Sequence, residues 1–230
     1  MTSSHEPASD EPCRLREIAG PAGRLDATLD SPVDARLIET PHAAVVLAHP
    51  HPLYGGTMHT KVMFHAAKAL TRIGCAVLRF NFRGVGGSEG SFDDGPGEMA
   101  DFRAALGALA ARYPKTEMWA AGFSYGAWIA MTVGASEARV TTLIGIAPPV
   151  QKRDFTVVRD SAKPTFFIQG ERDEICPLGV LRQFYAQLPE PKELVVIDGA
   201  DHLFDGKVSE VGDALENLLE GFSGRSEIGT

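Results

Sequence analysis

The strongest constraint on the fold is a regular alternation of short apolar runs with longer segments of helical pattern. The run Ala43–Ala48 contains no polar residue, which is typical of a strand buried on both faces of a parallel sheet. The apolar runs at 76–80, 117–121, 141–146, 165–169 and 193–197 are predicted as further strands. Helical patterns separate them at about 60–73, 97–112, 126–135, 177–187 and 206–221. Each is long enough for the right-handed crossover that joins parallel strands.

Two further β-type runs precede these, near 14–19 and 24–29, and a short Gly-Pro-Ala-Gly turn joins them. They are predicted to form an antiparallel hairpin at the edge of the sheet. The sequence therefore predicts an α/β fold with an eight-stranded, mostly parallel sheet flanked by helices. Only 18 residues separate Ile146 from Thr165, too few for an inserted lid domain, so an open active site is expected.

Composition favours one globular domain. The chain has 230 residues, of which 44% are hydrophobic, enough to bury one sizeable core. The domain is predicted over 13–222, between flexible tails at 1–12 and 223–230. The net charge of −8, without a basic cluster, argues against nucleic-acid or membrane partners. The oligomeric state stays open.

The sequence gives no sign of export, membrane insertion or a metal site. The N-terminus lacks a secretory pattern, and no apolar run approaches the roughly 20 residues that span a bilayer. The three cysteines, Cys13, Cys75 and Cys176, form neither a disulfide framework nor a metal-ligand spacing. A cytoplasmic protein without a metal is expected.

The most informative motif is Gly122-Phe-Ser-Tyr-Gly126. It lies between a predicted strand ending at Ala121 and an apolar helical segment, the strand-turn-helix context in which a serine can be presented as a nucleophile. The segment Gly86–Gly90 matches the same G-x-S-x-G pattern around Ser88, but no helix begins after it. Ser124 is therefore the predicted nucleophile.

A serine nucleophile needs a general base, and His202 is the predicted one. It follows the last predicted strand, so it lies at the same sheet edge as Ser124, where functional groups of parallel α/β sheets converge. His49 and His51 also follow a strand and are the alternatives. The remaining histidines are better explained as solvated or packed residues: His5, His42, His59 and His65.

The predicted acid that orients the base is Asp173, directly after the penultimate strand. Glu174 is its closest competitor. Asp201 adjoins His202 in sequence and is poorly placed to accept from the imidazole, and Asp198 is typical of a turn.

An oxyanion hole requires two backbone N–H donors, one of which should belong to Tyr125, the residue after the nucleophile. The other should come from the loop 49–56. Pro50 and Pro52 have no N–H, which leaves His51, Leu53 or Tyr54, and Leu53 is preferred.

These residues resemble the α/β-hydrolase superfamily, which uses the chain order Ser124, Asp173, His202. The resemblance covers about residues 13 to 221. Four longer motifs are similar to small bacterial hydrolases near the dienelactone hydrolase and carboxylesterase branches: His49–Met58, Arg79–Gly86, Ile146–Pro149 and Gly199–His202. Dienelactone hydrolases use a cysteine nucleophile, so their specific reaction is not expected with Ser124.

The resemblance implies hydrolysis of a small-molecule ester through an acyl-enzyme intermediate, without a metal or organic cofactor. A carboxylesterase acting on small to medium acyl esters is expected. A thioesterase, acyltransferase or perhydrolase with the same triad remains open, as does a non-catalytic binding protein on the same fold. Side chains beside the predicted catalytic residues are expected to line the pocket: His51, Tyr54, Phe123, Tyr125, Ile175 and Phe204.

Overall fold

Strands and helices alternate along most of the chain in a computed structural model that describes residues 15–32, 40–220 and 222. The predicted tails 1–12 and 223–230 lie outside this range. The strands are β1 (Glu17–Gly20), β2 (Gly23–Asp30), β3 (Ala43–Ala48), β4 (Ala76–Phe80), β5 (Glu117–Phe123), β6 (Val140–Ile146), β7 (Thr165–Gly170) and β8 (Lys192–Ile197). The helices are α1 (Lys61–Arg72), α2 (Pro96–Arg112), α3 (Tyr125–Ser136), α4 (Thr156–Arg159), α5 (Leu178–Tyr185) and α6 (Val208–Glu220), with a short 3-10 helix at Pro52–Tyr54.

The sheet has eight strands in the order β1-β2-β4-β3-β5-β6-β7-β8. Strands β3 to β8 are parallel, and β1 and β2 are antiparallel, which confirms the predicted architecture. The predicted hairpin lies at the edge of the sheet, with β1 outermost. The eight residues of β2 pair with β1 through 23–26 and with β4 through 27–30.

Strand β3 shows why the sheet is stable at its centre. Ala44, Val46 and Ala48 pack into the apolar cluster on one face of the sheet, together with α2 and α3. Val45 and Leu47, on the other face, pack with α1 and α6. Both faces of the strand are therefore buried, as its uninterrupted apolar run predicts.

The connection from β6 to β7 contains one short helix, α4. It holds no lid domain, so this connection leaves the carboxyl ends of β3, β5, β7 and β8 uncovered. Among the described residues, no helix combines the length and apolar character needed to cross a bilayer.

Candidate active site

Ser124 occupies a sharp turn between β5 and α3. Its backbone has φ of 53° and ψ of −118°, a conformation that residues other than glycine rarely adopt. The Ser124 N–H donates to the Ile146 carbonyl at 2.8 Å, and the Ser124 carbonyl accepts from the N–H groups of Ala127 and Trp128. The turn is therefore fixed from both sides, which holds the Ser124 side chain at the carboxyl edge of the sheet.

Two glycines make this turn possible. A Cβ at Gly122 would overlap backbone atoms of Gly126, and a Cβ at Gly126 would overlap the carbonyl oxygens of Ala48 and His49. Helix α3 thus begins in direct contact with the end of β3. Any side chain at either glycine would push α3 away from the sheet.

Ser124, His202 and Asp173 form one hydrogen-bonded line. His202 Nε2 lies 3.0 Å from Ser124 Oγ, and His202 Nδ1 lies 2.8 Å from Asp173 Oδ2. Because an ionised carboxylate can only accept, the proton of the neutral ring belongs on Nδ1. Nε2 then has a free lone pair for the Ser124 hydroxyl proton. The structure brings together the three residues predicted as nucleophile, base and acid.

The Asp173 carboxylate is held by four hydrogen bonds. Oδ1 accepts from the N–H groups of Ile175 and Cys176 at 2.9 and 2.7 Å. Oδ2 accepts from Gln169 Nε2 at 2.9 Å in addition to His202. This network fixes the orientation of the carboxylate.

The competing acids have other positions. Glu174, Asp198 and Asp201 are exposed. Asp201 accepts from the N–H groups of Leu203 and Asp205, both at 3.0 Å, so it stabilises the turn that carries His202.

Two predicted pocket residues lie in the core instead. Phe123 and Phe204 have exposed fractions of 1% and 0%, because both rings turn inward beneath the catalytic loops. The Phe123 ring packs against the His202 ring with centroids 5.5 Å apart, and Phe204 packs against Phe123. Phe123 therefore packs directly against the imidazole, and Phe204 supports Phe123. The prediction that they line the pocket is wrong.

The structure favours His51 over Leu53 as the second backbone donor of an oxyanion hole. The Leu53 N–H donates to His51 Nδ1 at 3.3 Å, because Pro52–Tyr54 forms a 3-10 turn capped by His51. In the described part of the chain, neither the His51 N–H nor the Tyr125 N–H has a hydrogen-bond acceptor. The contact of Gly126 with the end of β3 brings these two segments side by side.

His49, the alternative base, performs a structural task. It is fully buried, its Nε2 accepts from the Phe82 N–H at 3.0 Å, and its Nδ1 lies 2.6 Å from the Pro50 carbonyl oxygen. Burial lowers the pKa of His49 to about 4. The neutral ring therefore ties the loop after β3 to the loop after β4, and it is not directed at Ser124.

An aromatic group covers one side of the site. The His51 ring lies 4.8 Å from that of Tyr54, 5.1 Å from Phe92 and 4.7 Å from Tyr125. Burial, and secondarily the charge of Arg153, lower the pKa of His51. A neutral His51 ring is thus packed among aromatic side chains beside the proposed oxyanion donors.

Arg153 extends this group, and sequence reasoning missed it. Its guanidinium stacks over Trp128 at 4.5 Å and over Tyr125 at 5.4 Å, and it pairs with Asp94 at 2.6 Å. Arg153 and Asp94 come from two separate loops, whereas Tyr125 and Trp128 belong to α3, so no local motif reveals the contact.

The mouth of the site is apolar. Four large apolar side chains are strongly exposed there, each within three residues of a proposed catalytic group: Leu53 (67%), Tyr54 (87%), Ile175 (47%) and Leu203 (54%). Such a concentration of exposed apolar surface is characteristic of a binding region. Tyr54 and Ile175, two of the predicted pocket residues, are among these exposed side chains.

A cavity lined by His42, Gly74 and Leu219 lies at the opposite, amino-terminal edge of the sheet. Its charged side chains Arg72 and Glu216 pair with each other at 2.8 Å. It lies away from the triad and offers no comparable chemistry.

The fold and the geometry of Ser124, His202 and Asp173 define a serine hydrolase of the α/β class. Residues 41–225 match the family described as alpha/beta hydrolase domain, and the chain belongs to this family. An uncharacterized protein of Rickettsia prowazekii is 37% identical over 210 residues, which cover 87% of this chain and 86% of that protein.

Two solved structures are similar over nearly the whole chain. An alpha-beta serine hydrolase homologue from Coxiella burnetii is 36% identical, with a TM-score of 0.82, and the match covers 94% of this chain and 100% of that one. A serine hydrolase without a lid from Xanthomonas campestris is 34% identical, with a TM-score of 0.83, covering 95% of this chain and 98% of that one. The absence of a lid domain is thus shared with a relative.

Proposed function

We propose that this protein is a carboxylesterase that cleaves small to medium acyl esters through an acyl-enzyme intermediate on Ser124. The observation that carries the proposal is the line of hydrogen bonds from Ser124 Oγ through His202 to Asp173, with separations of 3.0 and 2.8 Å. This arrangement activates a serine hydroxyl near neutral pH.

In the first half-reaction, Ser124 Oγ attacks the ester carbonyl carbon while its proton passes to His202 Nε2. Asp173 stabilises the imidazolium, and the N–H groups of Tyr125 and His51 bind the oxyanion. When the intermediate collapses, the bond to the alcohol breaks, and the leaving oxygen takes the proton from Nε2. Water then repeats the sequence against the acyl-enzyme and releases the acid.

The apolar mouth supports a substrate with an uncharged acyl or alcohol group. Tyr54, Ile175 and Leu203 present aliphatic and aromatic surface directly beside the triad. The cleft has no lid to enclose a long chain, which favours groups of small to medium size.

Active-site labelling tests the proposal. A fluorophosphonate probe should form an adduct on Ser124 in the wild type, and Ser124→Ala should remove it. Ser88→Ala is the matched control, because Ser88 lies in the same G-x-S-x-G pattern. Its Oγ already donates to the Asn81 carbonyl at 2.7 Å, so this variant should be labelled like the wild type. Folded wild-type protein without an adduct on Ser124 would refute the proposal.

The reaction catalysed by the triad is tested separately. Comparison of p-nitrophenyl esters with acyl-CoA substrates should give the higher kcat/KM for oxygen esters. A clear preference for acyl-CoA would instead identify a thioesterase.

A further inference from the structure

Asp173, the acid of the proposed triad, belongs to a group of three side chains of the kinds that bind metal ions. Asp173, Cys176 and His202 each offer one metal-ligating atom, and these atoms all lie within 4.8 Å of one another. Carboxylate, thiolate and imidazole are all zinc ligands. With metal–ligand distances of about 2.0 to 2.3 Å, coordination of one ion would require the three side chains to rotate toward one another.

The backbone of Cys176 is held by hydrogen bonds at both its N–H and its carbonyl group. Its N–H donates to Asp173 Oδ1 at 2.7 Å, and its carbonyl accepts from Gln169 Nε2 at 2.7 Å. The thiol is buried, and the ester cleavage proposed above does not use it. The same network contains a buried acceptor, Gln169 Oε1, that has no partner among the described residues.

We propose that Asp173, Cys176 and His202 form an inhibitory site for a thiophilic divalent cation such as Zn²⁺. The inhibition rests on the proposed function, whereas cation binding does not. One carboxylate and one thiolate balance the two positive charges of the ion, so the buried site is electrically neutral when it is occupied.

The expected effect on the triad follows from the proton balance. The cation takes the place of the proton between His202 Nδ1 and Asp173 Oδ2. That proton moves to Nε2, and the thiol proton of Cys176 leaves to solvent. Coordinate bonds form from Nδ1, Sγ and a carboxylate oxygen, and no redox change occurs. A neutral ring bound through Nδ1 carries its proton on Nε2 and cannot accept the proton of Ser124.

The environment of the thiol explains why the cation would be needed to ionise it. Burial and the charge of Asp173 raise the pKa of Cys176 to about 12, against a smaller opposing effect of Lys152.

Direct binding is tested on the Ser124→Ala variant, which separates this inference from the proposed esterase activity. Titration with Cd²⁺ should produce a thiolate-to-cadmium charge-transfer band in the ultraviolet, and the band should be lost in the Ser124→Ala/Cys176→Ala double variant. Cys13 and Cys75 remain in both proteins and serve as internal controls. Equal bands in the two proteins would overturn the site.

The functional consequence is measured as Zn²⁺ inhibition of ester hydrolysis, relative to the metal-free rate of each variant. Cys176→Ala should need at least about tenfold more Zn²⁺ for half inhibition, a factor typical of a weakened metal site, and a chelator should restore the wild-type rate. Cys176→Ser, closer to the thiol in size, repeats the comparison if the alanine variant does not fold. Inhibition of wild type and a folded variant at the same Zn²⁺ concentration would refute the proposal.

Discussion

Gln169 Nε2 donates a hydrogen bond to Asp173 Oδ2 at 2.9 Å and another to the carbonyl oxygen of Cys176 at 2.7 Å. Gln169 is fully buried in β7, so one amide nitrogen connects the rigid sheet to the loop that carries the acid. The position of the carboxylate depends on the strand as well as on its own turn.

Replacing Gln169 should therefore impair catalysis more than substrate binding. In Gln169→Leu the carboxylate and the Cys176 carbonyl lose a buried donor, which should reduce stability by about 1 to 3 kcal/mol. We expect kcat to fall about tenfold, similar to the effect of removing a residue that orients a metal-bound imidazole, while KM changes little. Gln151→Leu is the matched control, because Gln151 donates to the Ile175 carbonyl of the same loop from an exposed position. Equal kcat values in the two variants would contradict the positioning role.

His49 should make stability dependent on pH. Its pKa of about 4 in the folded protein lies below the value of about 6.5 expected in the unfolded chain, so the unfolded state binds the proton more tightly. The contribution is complete above pH 6.5 and is lost as the pH falls toward 4. The loss of stability amounts to about 2 to 3 kcal/mol by about pH 4.5.

His49→Asn isolates this contribution in denaturant unfolding at about pH 7 and pH 4.5. Asparagine can keep a donor near the Pro50 carbonyl, but its shorter side chain has no acceptor at the position of Nε2, which binds the Phe82 N–H. The variant should be less stable than wild type at pH 7 and should lose less stability on acidification. A parallel decline of both proteins would contradict the assignment.

The apolar mouth should set the preference for acyl chain length. Ile175→Ser removes exposed apolar surface beside Asp173, and each buried methylene is worth about 0.8 kcal/mol. We expect kcat/KM for a hexanoate ester to fall about three- to tenfold, with the acetate ester nearly unaffected. Phe64→Ser is the control, since Phe64 is similarly exposed at 52% but lies on α1. The same loss in both variants would argue against a role of Ile175 in binding.

The strained turn at Ser124 should reduce stability. Its φ of 53° suits glycine, and such strain costs on the order of 1 to 3 kcal/mol, partly offset by the greater chain entropy of unfolded glycine. Ser124→Gly should therefore be about 1 kcal/mol more stable than Ser124→Ala, with both inactive. Thermal unfolding of the two variants tests this, and a less stable glycine variant would show that the turn is not strained.

The main features of the fold followed from local patterns. Strands β3 and β4 have the predicted limits, because an apolar run buried on both faces allows few alternatives. Ser124, Asp173 and His202 could be predicted as a set because each lies a few residues after a predicted strand, and parallel strands bring such positions to one edge.

Other features depended on tertiary contacts that the sequence does not display. The sequence favoured Leu53 as the second oxyanion donor, and it could not show that a 3-10 turn directs the Leu53 N–H to His51 Nδ1. Phe123 and Phe204 adjoin catalytic loops in sequence, yet their rings turn toward the core. Cys176 and His202 lie in two loops and are 26 positions apart along the chain, so no spacing motif reveals that they lie close together.

The short β6–β7 connection has a consequence for the fate of an acyl group carried on Ser124. Without a domain to seal the cleft, bulk water reaches the intermediate from the moment it forms, at a concentration that no dissolved alcohol or amine approaches. For the acyl-enzyme proposed above, we therefore expect hydrolysis to outpace transfer of the acyl group to a dissolved alcohol or amine.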